Sequence, residues 1–137
     1  MTSWRPGWDE FPVDLLQFWT DRHLLTLTTL RSDGTPHVVP VGVALDLDER
    51  CAWVITSRHS RKVRNLVAAG GTGPVAACQV DGARWSTLEG VARVTEDPAE
   101  VARAVERYAS RYRVPRENAE RVALRIDVAR FLHGTRL

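Results

Sequence analysis

Three runs of strand-forming residues are packed into residues 24–56: LLTLTTL (24–30), HVVPVGVAL (37–45) and CAWVIT (51–56). Only RSDGTP and DLDER separate them. Connections this short cannot hold the crossover helix that a parallel pair requires, so neighbouring runs must fold back on one another as antiparallel hairpins. That single feature removes the doubly wound parallel architectures.

The rest of the chain fits the same reading. PVAACQV (74–80) and ARWSTLEGVARV (83–94) flank Asp81-Gly82, a two-residue hairpin signal because glycine tolerates the positive φ such turns need. RVALRIDVARFL (121–132) alternates as a last strand. Leu15, Leu16, Phe18 and Trp19 recur at helical spacing within 14–22, with Asp14 available as an N-cap. Val63, Leu66 and Val67 predict a second short helix that GGTGP (70–74) ends. Val101, Ala104, Val105, Tyr108 and Tyr112 form the apolar face of a third over 97–112. About six antiparallel strands with short helices predict a small, mostly β barrel. Pro40, unable to donate to a ladder, belongs at an edge, a bulge or a ligand-facing gap.

The 137 residues suit one domain, 1–137, with an irregular aromatic arm at 1–12 carrying Trp4, Trp8 and Phe11. The 19 basic and 17 acidic residues leave a formal charge of +2, too close to balance for a broad nucleic-acid-binding surface. The N-terminus lacks a basic stretch followed by a hydrophobic one, and no run is long enough to span a bilayer, which predicts a cytoplasmic protein. Cys51 and Cys78 lie in strand-like runs as small hydrophobes without a disulfide framework. His23, His37, His59 and His133 are too scattered for a local metal motif and read as structural or surface residues; no metal is expected. No GxSxG, GxGxxG or GxxxxGK[ST] signature is present. Arg103, Arg107, Arg111 and Arg113, interspersed with Glu100 and Glu106, read as a solvated charged helix face.

The chemistry concentrates in SRHSRK (57–62), which holds the only lysine of the chain, Lys62. A strand ending at Thr56 and a helix starting near Ser60 would present hydroxyls, unpaired N–H groups and the positive end of a helix dipole beside Arg61 and Lys62. Such a constellation suits a phosphate group, the alternative being a serine-capped helix with solvated charges.

TSRHSRK after a strand resembles the phosphate-binding segment of the pyridoxamine-phosphate-oxidase-like split β-barrels, and LTLTTLRSDGTPHVVPVGVALD resembles their first hairpin. QVDGARWSTLEGVARV (79–94) with RYASRYRVPRENAERV (107–122) is similar to the actinobacterial branch that uses the deazaflavin coenzyme F420, specifically its biliverdin-reductase-like members. The resemblance implies a homodimer with the cofactor at the subunit interface, a small-molecule substrate and neither nucleic acid nor membrane as partner. It implies that Thr56, Ser57, Ser60, Arg61 and Lys62 hold the cofactor phosphate, with Asn65 in support. Val39, Pro40 and Val41 would lie along the ring, and Gln79 and Trp85 would join from the partner's side of the pocket. Hydride transfer from reduced F420 to an electron-poor carbon is the implied reaction, with no catalytic side chain assigned; Arg58 and Arg113 are candidates by charge for substrate propionates. FMN chemistry on the same barrel and a non-catalytic F420 carrier are the alternatives. Residues 40–42 read PVG where the flavin-using oxidases tend to carry a basic phosphate-binding residue, which favours F420 over FMN.

Overall fold

A computed structural model describes all 137 residues. In chain order the elements are β1 (Thr2–Trp4), α1 (Val13–Thr20), β2 (Leu25–Leu30), β3 (Pro36–Val41), β4 (Ala44–Asp46), β5 (Cys51–Ser57), α2 (Arg61–Ala68), β6 (Thr72–Asp81), β7 (Arg84–Thr95), α3 (Pro98–Arg111) and β8 (Arg121–His133). All strand pairs are antiparallel, in the order β3-β2-β6-β7-β8-β5-β4, with β1 added against β8.

The strands number eight where the sequence predicts about six. One extra comes from the aromatic arm: Thr2, Ser3 and Trp4 pair with His133, Leu132 and Phe131. Trp4 and Phe11 then pack on the Phe131 ring, with centroids 6.0 and 5.3 Å away. The other arises because HVVPVGVAL is broken at Gly42. The Tyr108 and Tyr112 rings of α3 lie against that glycine, and an added Cβ would stand 2.9 Å from each. Tyr112 Oη accepts from the Val43 N–H at 3.1 Å and donates to the His23 carbonyl at 2.6 Å. The strand therefore changes direction where the tyrosines press on it.

Smaller differences follow from local chemistry. α1 starts after Pro12 and not at Asp14, which sits in the first turn, where its charge favours the dipole. The β6–β7 turn is Gly82-Ala83, closed by the Asp81↔Arg84 pair, one residue later than the sequence suggests; Gly82 carries the positive φ of 60°. Asp97 caps α3 as an acceptor from the Glu100 N–H at 3.0 Å, with Pro98 in the first turn.

The core fills the barrel. Leu27, Val43, Ala77, Leu88, Ala92, Leu124, Ile126 and Phe131 are fully buried, and α1 and α2 plug opposite ends with Leu15 and Trp19, and with Val63 and Leu66. Trp19 Nε1 donates to Ser86 Oγ at 2.9 Å, so the one polar atom of this large ring is satisfied. α3 lies outside, over Cys51, Trp53 and Ala123. Cys51 is 1% exposed and Cys78 only partly buried, both as free thiols. No helix is long and apolar enough to cross a membrane.

Of the four arginines expected on a solvated face, Arg113 is exposed beyond the end of α3, but Arg103, Arg107 and Arg111 are not. Arg103 grips the fully buried Asp46, with Nε and Nη2 each 2.7 Å from a carboxylate oxygen. Arg107 Nε donates to the Leu45 carbonyl at 3.1 Å. Arg111 is 8% exposed and donates to the carbonyls of Asp21, Val43 and Phe18 and to Gln79 Oε1. Helical spacing marks which side chains share a face but not which face finds partners, and here carbonyls near the end of α1 and just after β3, outside the regular ladders, draw the guanidinium inward.

Candidate cofactor site

The sheet is split. Its terminal strands β3 and β4 are consecutive in the chain, yet β3 pairs only with β2, and β5 pairs with β4 only through Cys51–Trp53. From Val54 to Ser57, β5 has β8 alone as a neighbour. Extending the Ala44↔Trp53 register would set Val41 against Thr56 and Pro40 against Ser57. β3 and the far half of β5 thus each present an edge without a strand partner, whose N–H and C=O groups on that side are not used by the sheet. Pro40 indeed sits on an edge strand, as its missing N–H requires.

At the end of this split the chain turns through Arg58, His59 and Ser60 into α2. Ser60 is the N-cap residue, but its hydroxyl makes no capping bond; it accepts from Thr56 Oγ1 at 3.2 Å. The first N–H groups of α2 are thus left without a side-chain cap. Ser57 Oγ accepts from Asn118 Nδ2 at 2.8 Å, which ties the turn to the loop before β8.

The basic hexapeptide divides into two electrostatic halves. Arg58 pairs with Glu96 at 2.9 Å and Glu120 at 3.5 Å, and His59 lies 3.6 Å from Glu120. Arg61 and Lys62 have no carboxylate partner. Lys62 is partly buried, and burial holds its ammonium below the usual lysine range. A desolvated ammonium without a counter-ion beside bare helix N–H groups is an incomplete arrangement that an anion completes.

Histidine 37, set aside on sequence grounds, belongs to the same place. Its Nδ1 is buried without a partner, and the charged groups acting on its ring include Lys62 and Arg61. The signal was available: alternation puts His37 on the same face as the inward Val39 and Val41, with buried Thr29 opposite.

Three other predicted site residues have different surroundings. Asn65 is buried and donates to Thr29 Oγ1 at 2.9 Å, bracing α2 against β2. Gln79 is 1% exposed, and both ends of its amide are used, by the Phe18 carbonyl at 2.8 Å and by Arg111 at 2.8 Å. This amide is spent on holding α1 and α3, so Gln79 has no free polar atom for a cofactor. Trp85 lies across from Val80, with its indole Nε1 2.7 Å from where a Cβ on Gly134 would sit. Within one chain Gln79 and Trp85 stand at the α1 end of the barrel, away from α2. Of the two arginines considered for substrate carboxylates, Arg58 is already paired, whereas Arg113 is exposed and unpaired.

None of the main clefts in the single chain is lined by Arg61, Lys62 or Pro40. Within one chain the split is therefore not enclosed by any of these clefts.

A small antiparallel barrel, split between two strand edges and carrying an unpaired basic helix start at the split, defines the class of split β-barrel cofactor-binding proteins. This chain belongs to the pyridoxamine 5'-phosphate oxidase family, whose sequence profile matches residues 12–133. It is 47% identical over 119 residues to the F420H2-dependent biliverdin reductase of Mycobacterium tuberculosis, covering 87% of this chain and 85% of that protein. Among solved structures it resembles a conserved hypothetical protein of Mycobacterium tuberculosis, with a TM-score of 0.74 and 25% identity over 90% of this chain and 84% of the other. An F420 reductase shares the fold, with a TM-score of 0.68 and 23% identity over 89% of this chain and 98% of the other.

Proposed function

We propose that this protein is a reductase that uses F420H2 to deliver a hydride to an electron-poor small molecule, with biliverdin, a linear tetrapyrrole, as the first substrate to test. The observation that carries the reading is the unneutralised pair Arg61 and Lys62 at the uncapped start of α2, which follows directly on the open edge of β5. The 47% identity to an F420H2-dependent biliverdin reductase supports the choice of coenzyme and substrate.

In this reading Arg61, Lys62 and the first N–H groups of α2 hold the cofactor phosphate, with the hydroxyls of Thr56, Ser57 and Ser60 around it. The Val39–Val41 backbone lies along the ring. When bound, the reduced deazaflavin supplies the hydride; the protein orients the ring, anchors its charge and excludes water. No side chain is assigned as the proton donor. FMN fits less well, because residues 40–42 read PVG, without the basic phosphate-binding residue that the flavin-using oxidases tend to carry in this segment, and the Tyr108 and Tyr112 rings leave no room for a side chain at Gly42.

The wall that would enclose the split is assigned to a second copy of this chain, in which residues 1–137 act as one domain in the cytoplasm. Every outward side chain of β2 and β3 is apolar or threonine, and Leu24, Leu30, Val38 and Val80 are 62%, 45%, 54% and 67% exposed. An uncharged, uncovered sheet face next to an unenclosed split suits a self-complementary interface. Wild-type protein should scatter light as a dimer, and Val38→Glu should give monomers with weakened cofactor binding although Arg61 and Lys62 are intact. A wild-type monomer with full cofactor affinity would refute the assignment.

The functional test is a titration of the pure protein with F420H2, with FMN in parallel, followed by biliverdin. Tight F420H2 binding and biliverdin-dependent oxidation of the coenzyme are expected. FMN binding as tight, with FMN-supported turnover, would replace F420 by FMN; tight F420H2 binding without oxidation across a substrate panel would make the protein a carrier.

A further inference from the structure

His37 begins the inward row of β3. It stands opposite Thr29, which is 1% exposed and accepts a 2.9 Å bond from Asn65 Nδ2. The ring Nδ1 is buried and has no hydrogen-bond partner. Buried polar nitrogens are nearly always paired, so an orphan at a binding groove marks where a partner is to come. The charged groups whose fields act on the ring are cations, Arg31 from the β2–β3 turn and Lys62 and Arg61 from α2, while Asp33 in the same turn acts on Arg31. None of the three is paired with a carboxylate. Arg31 spends one bond on the Pro36 carbonyl, at 2.6 Å, which holds it at the base of β3.

We propose that His37 is the proton-accepting member of the anion site: an oxyanion seated among Arg31, Arg61 and Lys62 receives a hydrogen bond from His37 Nδ1, and the ring takes up one proton from solvent as the anion enters. This rests on reading the groove as the phosphate end of the cofactor site. In the free protein, burial first and then the three cations lower the ring's affinity for a proton from the usual histidine value, which favours the neutral form. An anion cancels that positive field and supplies an acceptor for Nδ1, and both changes favour the imidazolium form.

The sign follows by linkage. If the bound state holds the proton more tightly than the free state, binding strengthens as pH falls from the bound-state value to the free-state value. Above that window the ring is neutral in both states; below it the ring is charged in both.

Sulfate is the probe, because it keeps its double charge between about pH 5 and 8, the range over which histidine titrates. Full-length protein should bind sulfate about tenfold more tightly at the acid end of that range than at the basic end, with the His37 ring titrating about one unit higher when sulfate is saturating. His37→Gln keeps a donor but cannot titrate, so it should bind sulfate with a flat pH profile. An unchanged His37 titration with and without sulfate, or a pH profile retained in His37→Gln, would overturn the proposal. Arg61→Ala and Lys62→Ala separate the two levels. Sulfate binding that needs these residues but ignores pH removes only the role of His37, whereas absent binding, or binding that ignores both residues, removes the anion site itself and the cofactor reading with it.

Discussion

Lys62→Ala should weaken F420H2 binding by about tenfold to a hundredfold, since a charge-assisted contact of about 1.5 to 3 kcal/mol is lost at a partly solvated phosphate. Arg61→Ala should fall at the lower end of that range, because Arg61 is the more exposed of the two. Turnover at saturating coenzyme should change much less, as phosphate contacts are alike in ground and transition states. The structure adds a second sign to this result. In the free protein Lys62 is desolvated without a counter-ion, among cations that act together on His37. Removing it relieves an unfavourable burial, so the apoprotein should melt no lower than wild type and somewhat higher if anything changes. Affinity and stability moving in opposite directions distinguish a ligand-binding lysine from general damage to α2. The measurements are coenzyme affinity, saturated turnover and apoprotein melting; unchanged affinity in both single variants would return Arg61 and Lys62 to the role of solvated charges.

The second large effect concerns stability. Asp46 is completely buried at the end of β4, where it accepts from Arg103 twice, from Trp53 Nε1 at 2.9 Å and from the Glu49 N–H at 3.1 Å. Asp46→Asn removes the charge but keeps the shape, and leaves Arg103 facing an amide. Breaking a buried pair from one side costs about 3 to 5 kcal/mol, and the low end applies because 28% of the Arg103 side chain stays exposed. A loss of about 3 kcal/mol in urea unfolding, or roughly 10 °C in melting temperature, is expected. A loss below about 1 kcal/mol would mean that the pair contributes no more than an exposed one.

The same carboxylate sets an acid limit. Burial pushes the Asp46 carboxyl up, but bonds from Arg103, Trp53 and the Glu49 N–H outweigh it and hold the group at about 2, below its ordinary 3.8. Glu100 is held at about 2 from an ordinary 4.5 by Arg93 and Thr95. Since the folded values lie below the unfolded ones, the unfolded chain binds more protons as pH falls. The stabilisation is complete above the unfolded values and is lost on acidification toward about pH 2. Asp46→Asn should therefore flatten the acid limb of the stability curve as well as lower its plateau.

Much of the barrel was legible in the sequence because hairpins are local. The short breaks at 31–36 and 46–50 forced antiparallel pairing, and the alternation in LTLTTL matched the buried and exposed rows of β2. The division of the second strand was not legible, since it depends on Tyr108 and Tyr112 arriving at Gly42 from more than sixty residues away. At the site, Ser60, Arg61 and Lys62 could be placed at a helix start because strand-end and helix-start signals are written in neighbouring residues. The unequal fate of Arg58 and Lys62 could not, because it is decided by Glu96 and Glu120 in other elements. The hydrogen bonds of Gln79 and Asn65 within the chain were not legible either: an amide suited to a ligand is equally suited to a distant carbonyl or hydroxyl, and only the fold shows which is present.

Arg111 has a consequence for how the molecule opens and closes. Its four acceptors lie 90, 68, 93 and 32 residues away along the chain: the carbonyls of Asp21, Val43 and Phe18, and the Gln79 side chain. No pair of neighbouring elements can satisfy the guanidinium alone, and without it the Phe18 carbonyl keeps only Gln79 Nε2 and the Asp21 carbonyl, just past α1, loses its charged donor. If α1 lifts away, a buried cation loses two of its four acceptors; if the end of α3 unwinds, the carbonyls of Phe18, Asp21 and Val43 each lose a charged donor. Fraying of the first helix and of the last turn of the third is therefore a single event, and two segments ninety residues apart in sequence behave as one cooperative unit.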